Sequence, residues 1–411
     1  MSNILIISQT PTHPITGGNR IRILNICEYL KQKNINYTFL FINDYDNFNT
    51  DEMQNFFGDS YIEYKKSKSR LLFFKKNLLF KIFNFFFIKT KDIIDIALDS
   101  VIKQFVKEYL KKKYNKEIDF YYPNGLDCFI QENLVKRNFS HVIVEYVAYS
   151  KALLNFNSDT KKIIDTHDVF SNRYELYLNI KSKPGFYSFY PSEEAKGLDR
   201  ADIILAIQEK EKRYFEKISN KQVVEFGHFT SIQNVSFPNK NVLLFVGGQN
   251  SFNIDGINHF IDDILPYIKV DFPNINLIIA GHIVNKKKYI KESECIKFYG
   301  NFYDNVEIYS KADIVINPLR QGSGLKIKSI DALASSKPLV TYLEGVSGLP
   351  SDFDDKEFYL LSKDSQDFAN NVILLLKNTT IRNELAITAK EFMISYNRKI
   401  LEEFDKIIDN N

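Results

Sequence analysis

The sequence predicts an α/β fold built on two parallel sheets, and three observations carry that expectation. Short apolar runs alternate with segments of helical periodicity over most of the chain. The alternation stops at residues 228–240, HFTSIQNVSFPNK, a polar and unpatterned stretch, and then restarts. A length of 411 residues suits two or three domains at about 100–200 residues each.

The elements follow in order. The run Ile4–Ile7 reads as a strand, followed by the turn-rich loop SQTPTHPITGG. A helix comes next, with Ile21, Leu24, Cys27 and Leu30 at a spacing of three. The strand Tyr37–Ile42 completes a β-loop-α-β unit. His141–Val147, Lys162–Asp165, Asp202–Ile207 and Gln222–Phe226 are the further strands of the first half. The second half opens with the strand Val242–Val246, the loop GGQNSFN and a helix through Ile257, Phe260, Ile261, Ile264 and Leu265. Strands Asn276–Ala280, Ile296–Tyr299 and Asp313–Asn317 follow, then a helix from about Leu325 to Ala334 and the strand Pro338–Tyr342. The expected architecture is two Rossmann-like domains facing a cleft, 1–228 and 240–385. A helical tail, 386–411 with its pattern over Ala389–Ile408, is expected to pack back on the first domain. A cleft between two such domains is a usual place for a ligand.

Composition narrows the class. With 44% hydrophobic and 26% charged residues, the chain reads as an ordinary globular protein and not as a disordered tail, a coiled-coil rod or a collagen. Fifty-four Lys and Arg against fifty-one Asp and Glu leave a net charge of +3, so no global field recruits nucleic acid. Cys27, Cys128 and Cys295 lie far apart, without the spacing of a zinc site or a disulfide framework, which fits a reducing cytoplasm. The first residues lack a signal-peptide core, and the most apolar stretch, Leu71 to Ile88, is interrupted by Lys75, Lys76 and Lys81. The expected location is cytoplasmic, with a peripheral contact at the inner face of the cell membrane left open.

Two loops carry chemistry. Gly17 and Gly18 precede a helix start, where close backbone approach and helix amides favour an anion, unless the pair only makes the turn. Neither G-x-G-x-x-G nor G-x-x-x-x-G-K-[ST] occurs, which disfavours a dinucleotide oxidoreductase and a P-loop nucleotidase. The second loop lies in NPLRQGSGLKIKSIDALASSKPLV, Asn317 to Val340, where Gly322-Ser323-Gly324 opens a helix with Lys326 and Lys328 in its first turns. Cations there oppose the helix dipole, so local stability does not explain them, whereas a pyrophosphate held by loop amides and an ammonium does. Asp331 lies further along the same helix, placed to accept ribose hydroxyls; the alternative is a solvated face with i,i+3 pairing of Lys328 and Asp331. His167, in DTHD at a strand's carboxyl edge, is either a ligand contact or a histidine satisfied by Asp165 or Asp168. Arg173 contacts donor or acceptor, or pairs with Glu175 or another helix charge; His13 is a weaker candidate, and His141, His228, His259 and His282 read as structural.

The run of strand, proline, GSGLKIKSIDALA, KPLVTY and GVSGL resembles the donor-binding region of group 1 glycosyltransferases, retaining enzymes of GT-B fold that use nucleotide sugars. PTHPITGGNRIR, DTHDVFSNR, LDRADIILAIQEKE, VLLFVGGQNSFNIDGINHF and FYGNFYDNVEIYSKADIVINPL agree in order, and residues 45–135 match least. The resemblance implies a second domain that holds the nucleotide and a first domain that binds the acceptor. Asp331 takes the place of the second glutamate of the family's E-x7-E motif. Ser323 takes the place of the first, a departure that bears on sugar recognition. Lys326 is implied to stabilise the leaving diphosphate and His167 to face the transferred sugar. Gly17, Gly18, Gly248, Gly322, Gly324 and Leu325 are implied to contact the donor. Neither a cofactor nor a metal is expected, because no DxD stands in a suitable loop and no protein nucleophile is required. The alternatives are a non-catalytic nucleotide-sugar-binding scaffold and a nucleotide-sugar epimerase of the same fold. Residues 65–91, KKSKSRLLFFKKNLLFKIFNFFFIKTK, carry nine Lys and Arg and no acid, which reads as an interfacial helix on anionic lipid or as a buried excursion with lysines at its edge.

Overall fold

The computed structural model describes residues 2–15, 17–43, 51–65, 100–179, 183–300, 302, 304–322 and 324–409. The strands among them form two sheets. The first contains β1 (Asn3–Ser8), β2 (Asn36–Asn43), β3 (Tyr61–Lys65), β4 (His141–Glu145), β5 (Lys161–Asp165), β6 (Ile203–Ala206) and β7 (Gln222–Glu225), in the order β3-β2-β1-β4-β5-β6-β7. The second contains β8 (Val242–Val246), β9 (Asn276–Ala280), β10 (Ile296–Tyr299), β11 (Ile314–Asn317), β12 (Leu339–Tyr342) and β13 (Leu360–Ser362), in the order β10-β9-β8-β11-β12-β13. Pairing is parallel from β3 to β6 and throughout the second sheet. The expected α/β class with two Rossmann-like sheets is therefore present.

Burial explains why these runs are strands. Ile4, Leu5, Ile6 and Ile7 are all fully buried, the near-continuous apolar run of a parallel strand covered on both faces. In the second sheet the alternation of side chains splits one strand between two cores. Leu243 and Phe245 of β8 face a cluster with Phe260, Ile264 and Phe368, while Leu244 faces one with Tyr309, Ile330 and Phe392. Each such buried side chain contributes about 1.5–3 kcal/mol.

Packing groups the chain into two units. One holds Met1–Thr10, Ile35–Leu205 and Lys212–Val224; the other holds Pro11–Asn34, Ala206–Glu211 and Glu225–Asn411. Four helices matter below, all in the second unit: α1 (Gly18–Gln32), α2 (Ser251–His259), α3 (Ile327–Ala334) and α4 (Thr379–Asp409). Helix α1 buries more than the expected face, since Arg22, Ile23, Ile26 and Tyr29 are enclosed as well. The Arg22 guanidinium donates to the carbonyls of Phe226 and Gly227 and lies over the Phe226 ring. Phe404 of α4 stacks on Phe226 with centroids 4.9 Å apart, and Asp405 accepts from Tyr29 Oη at 2.7 Å and Lys33 Nζ at 2.9 Å.

Several boundaries differ from expectation for local reasons. The strand expected to reach Val147 ends at Glu145, because Tyr146 takes a left-handed φ of 69° and a 3-10 helix follows. The helix expected from Leu325 starts at Ile327, with the non-helical Lys326 as its N-cap. Helix α2 does not run straight through Leu265: a π turn, Phe260–Ile264, intervenes just before Pro266, whose nitrogen has no hydrogen to donate. The tail helix begins at Thr379, well before Ala389. Of the 65–91 segment only Lys65 is described, as the last residue of β3 and not as helix; the remainder lies outside the described residues, as does Ser323. Among the described residues no helix is long and apolar enough to cross a membrane.

Candidate functional site

In the second sheet the strand order reverses between β8 and β11, and loops leaving such a switch point form a ligand crevice at the carboxyl edge of a parallel sheet. The β8 loop carries Gly247 and Gly248 and enters α2 through Asn250, whose side chain accepts from the Asn253 amide. Asn253 Nδ2 donates to the Gly248 carbonyl at 3.0 Å, and its Oδ1 accepts from the Lys328 ammonium. Lys328 also lies over the Phe245 ring, 4.6 Å from its centroid. The two switch-point loops are thus tied by a single amide side chain.

The β11 loop runs from Asn317 to Lys326. Buried Asn317 donates to Ser329 Oγ at 2.8 Å and to the Gly345 carbonyl at 3.1 Å, which fastens the end of β11 to α3 and to the turn after β12. Gly324 takes a left-handed φ of 68°, accessible to glycine without strain. Its carbonyl accepts from Lys326 Nζ at 2.8 Å, and Glu344 Oε1 accepts from the same ammonium at 2.6 Å. Leu325 is buried and Gly322 half-buried in this loop. Lys326 and Lys328 therefore turn to different partners. The i,i+3 pairing of Lys328 with Asp331 is not adopted.

The electrostatics of α3 are unusual for a helix start. Burial, with the Lys326 charge beside it, pushes the Lys328 ammonium down to about 7. Burial pushes the Asp331 carboxyl up to about 7, against a hydrogen bond from Asn305. Asp331 Oδ1 is enclosed without a hydrogen-bond partner. Gly17 is the N-cap of α1 and accepts from the Arg20 and Ile21 amides. Gly18 lies against α3 so closely that a Cβ there would fall 2.5 Å from Ile327 Cδ1. Structure thus brings the Gly17–Gly18 turn to the start of the lysine-bearing helix, within one unit. His13 bonds Thr12 Oγ1 through Nδ1 at 2.9 Å.

The other candidates belong to the first unit. His167 follows β5 and Glu145 ends β4, and their side chains meet with Nε2 and Oε2 2.5 Å apart. Asp165 Oδ2 is 3.8 Å from the same nitrogen. One ligand atom from each of these three groups lies within 4.8 Å of the others, close enough to hold a metal ion. The Tyr146 ring stacks on the imidazole, centroids 4.2 Å apart and planes 7° off parallel. Arg173 pairs with Asp168 at 2.8 Å, not with Glu175, and lies over the rings of Phe170 and Phe186. Sequence reasoning passed over Glu145, Tyr146, Asn253 and Glu344. A strand-ending carboxylate and a loop amide carry no spacing signal, although Glu145 stands at the carboxyl edge where His167 was sought.

Residues 240–378 match the family described as Glycosyl transferases group 1. A 44.6 kDa protein of the cps region of Klebsiella pneumoniae is 29% identical over 184 residues, covering 41% of this chain and 45% of that protein. The match thus spans about half the length of that relative. Three solved structures share the fold across nearly the whole chain. A variant of S. aureus TarM, in complex with fondaparinux, α-GlcNAc-glycerol and UDP, superposes with a TM-score of 0.64 at 12% identity, covering 100% of both chains. Sucrose-phosphate synthase of Thermosynechococcus elongatus gives 0.66 at 14% identity, over 99% of this chain and 98% of that one. Anabaena HepE in complex with UDP and glucose gives 0.62 at 12% identity, over 98% and 100%. The lysine-bearing loop, Gly248 and Asp331 all fall inside residues 240–378, the part of the chain that is similar to the group 1 glycosyl transferases.

Proposed function

We propose that the protein transfers a sugar from a nucleotide diphosphate sugar to a glycan or lipid-linked acceptor, with retention of anomeric configuration and without a metal. The observation that carries this reading is the pair of lysines, Lys326 buried and Lys328 half-buried, where the β8 and β11 loops are joined through Asn253. Two ammonium groups at a helix start, one of them partly deprotonated by burial, are relieved by an anionic ligand. A diphosphate supplies that charge. Uridine diphosphate, bound by TarM and HepE as those structures are described, is the first nucleotide to try.

Under this reading Lys326 meets the leaving diphosphate, assisted by the amides of the Gly322–Gly324 loop and of Gly17 and Gly18. Gly248 and Leu325 line the donor, and Asp331 accepts the ribose hydroxyls. His167 faces the transferred sugar. The acceptor hydroxyl oxygen attacks the anomeric carbon on the face from which the diphosphate departs. The carbon–oxygen bond to phosphate breaks with its electron pair on the phosphate oxygen, which receives the hydroxyl proton. What the protein supplies is positioning and charge stabilisation. The basic and aromatic composition of residues 65–91 supports an acceptor reached at an anionic membrane surface.

The test is a binding screen against uridine-, guanosine- and adenosine-diphosphate sugars, with Lys326→Ala and Asp331→Ala run beside the native protein. Selective binding of one donor, lost in both variants, is the expected result. Turnover with that donor should fall on the order of a hundredfold or more in Lys326→Ala, the usual loss when one charge-stabilising donor is removed. A folded protein that binds no nucleotide sugar would sink the donor site, and unchanged turnover in Lys326→Ala would remove that lysine from the reaction.

A further inference from the structure

Strands β4 and β5 are paired so that Glu145 stands opposite Asp165 at their carboxyl ends. Just beyond them Tyr146 and His167 both adopt left-handed backbone, with φ of 69° and 60°. Positive φ is uncommon outside glycine though histidine tolerates it, and a residue as bulky as Tyr146 persists there only where its surroundings over-determine it. Here the two residues bring their rings flat together, 4.2 Å apart. The Glu145 side chain is fully buried and that of His167 is 5% exposed. The nearer carboxylate oxygen to Nε2 is Glu145 Oε2 at 2.5 Å, and a carboxylate accepting there puts the imidazole hydrogen on Nε2. Among the described residues Nδ1 has no hydrogen-bond partner in the protein.

We infer that Glu145 is the positioning residue of His167, fixing the hydrogen on Nε2 and leaving Nδ1 as the nitrogen offered to bound ligand. Tyr146 holds the plane of the ring and Glu145 its rotation, so the imidazole presents one nitrogen in one direction. This rests on the reading of His167 as a site residue.

The experiment records ring nitrogen signals of full-length protein labelled with 15N-histidine, His167 being assigned by loss of its peaks in His167→Gln. Turnover is measured beside it in Glu145→Gln and Glu145→Asp. Native protein should show His167 with its hydrogen on Nε2. In Glu145→Gln that preference should be lost and turnover should drop about tenfold to a hundredfold, as for a misplaced catalytic group. Donor KM should change less than turnover, because the nucleotide and diphosphate contacts are untouched. Glu145→Asp, which keeps the charge, should recover part of both signals, and it carries the same two readouts if the Gln variant does not fold. Unchanged ring signals in the variants, whatever happens to turnover, overturn the inference. So does a chelator that moves the native His167 signals, since a cation would then occupy the carboxylate–imidazole cluster. Full turnover in His167→Gln would sink the site reading instead, while the ring signals still decide the role of Glu145.

Discussion

Lys328 and Asp331 sit within one turn of α3 and are displaced in opposite directions, the ammonium down to about 7 and the carboxyl up to about 7. Near pH 7 each group is therefore only partly in its charged form. A bound diphosphate raises the affinity of Lys328 for its proton, so donor binding takes one up there. Ribose hydroxyls donating to Asp331 favour its carboxylate, so binding releases a proton there. In native protein the two largely cancel. Calorimetric titration with the donor in buffers of different ionisation enthalpy should then show net release in Lys328→Met and net uptake in Asp331→Asn, each about half a proton at pH 7. The same proton count in all three proteins would remove both groups from the donor site. At this scale the sequence is only partly legible. Lys326, Lys328 and Asp331 stand out because cations at a helix start and a nearby carboxylate violate the expected dipole pattern. Glu145 and Glu344 violate nothing locally; they matter because residues 22 and 18 positions away fold onto them.

Elements are most legible where burial is complete. The runs at β1, β8, β9 and β11 are plain in the sequence, whereas β3 and β13 at the sheet edges are less buried, and nothing marks them. How closely two elements approach is not written in periodicity at all. Paired glycines at 17 and 18 suggest close approach to a ligand, but the fold shows that Gly18 also admits Ile327, whose Cβ and Cγ1 lie 3.1 and 3.2 Å from where a methyl would stand. Gly18→Ala is therefore expected to destabilise the protein by about 1–3 kcal/mol, as overpacking does, and to weaken donor binding by pushing α1 away from α3. Combining it with Ile327→Ala removes the Cδ1 and Cγ1 obstacles and should restore donor affinity to some extent. Thermal melts and donor titrations of the two variants check this; a single variant indistinguishable from native protein would show that α3 yields freely.

Across the whole molecule, the second unit is assembled from distant stretches of the sequence. Helix α1, residues 225–230 and the end of α4 converge: Phe404, fully buried, meets Phe226 and Tyr29, and Tyr396 Oη accepts from the His228 amide. Phe404→Ala should cost about 3–5 kcal/mol, read as a lowered melting temperature with donor-site residues unaltered. A loss within experimental error would mean that α4 is dispensable to the core. The pattern of α4 is visible from Ala389, yet its contacts join residues more than 160 positions apart, which no local pattern encodes.

The path of the backbone has a consequence for anyone who would divide this protein. It passes from one unit to the other between 10 and 11, 34 and 35, 205 and 206, 211 and 212, and 224 and 225. A protease cutting once inside 231–237 therefore does not detach either unit from its neighbour. The amino-terminal piece keeps α1 and Phe226, the carboxy-terminal piece keeps α4, and the Phe226–Phe404 stack and the Tyr29–Asp405 bond still hold them as halves of a single hydrophobic body. Nicked protein should migrate on size exclusion as the intact chain does and come apart only in denaturant, whereas fragments that elute separately would show that the continuous chain, not its packing, keeps that body whole.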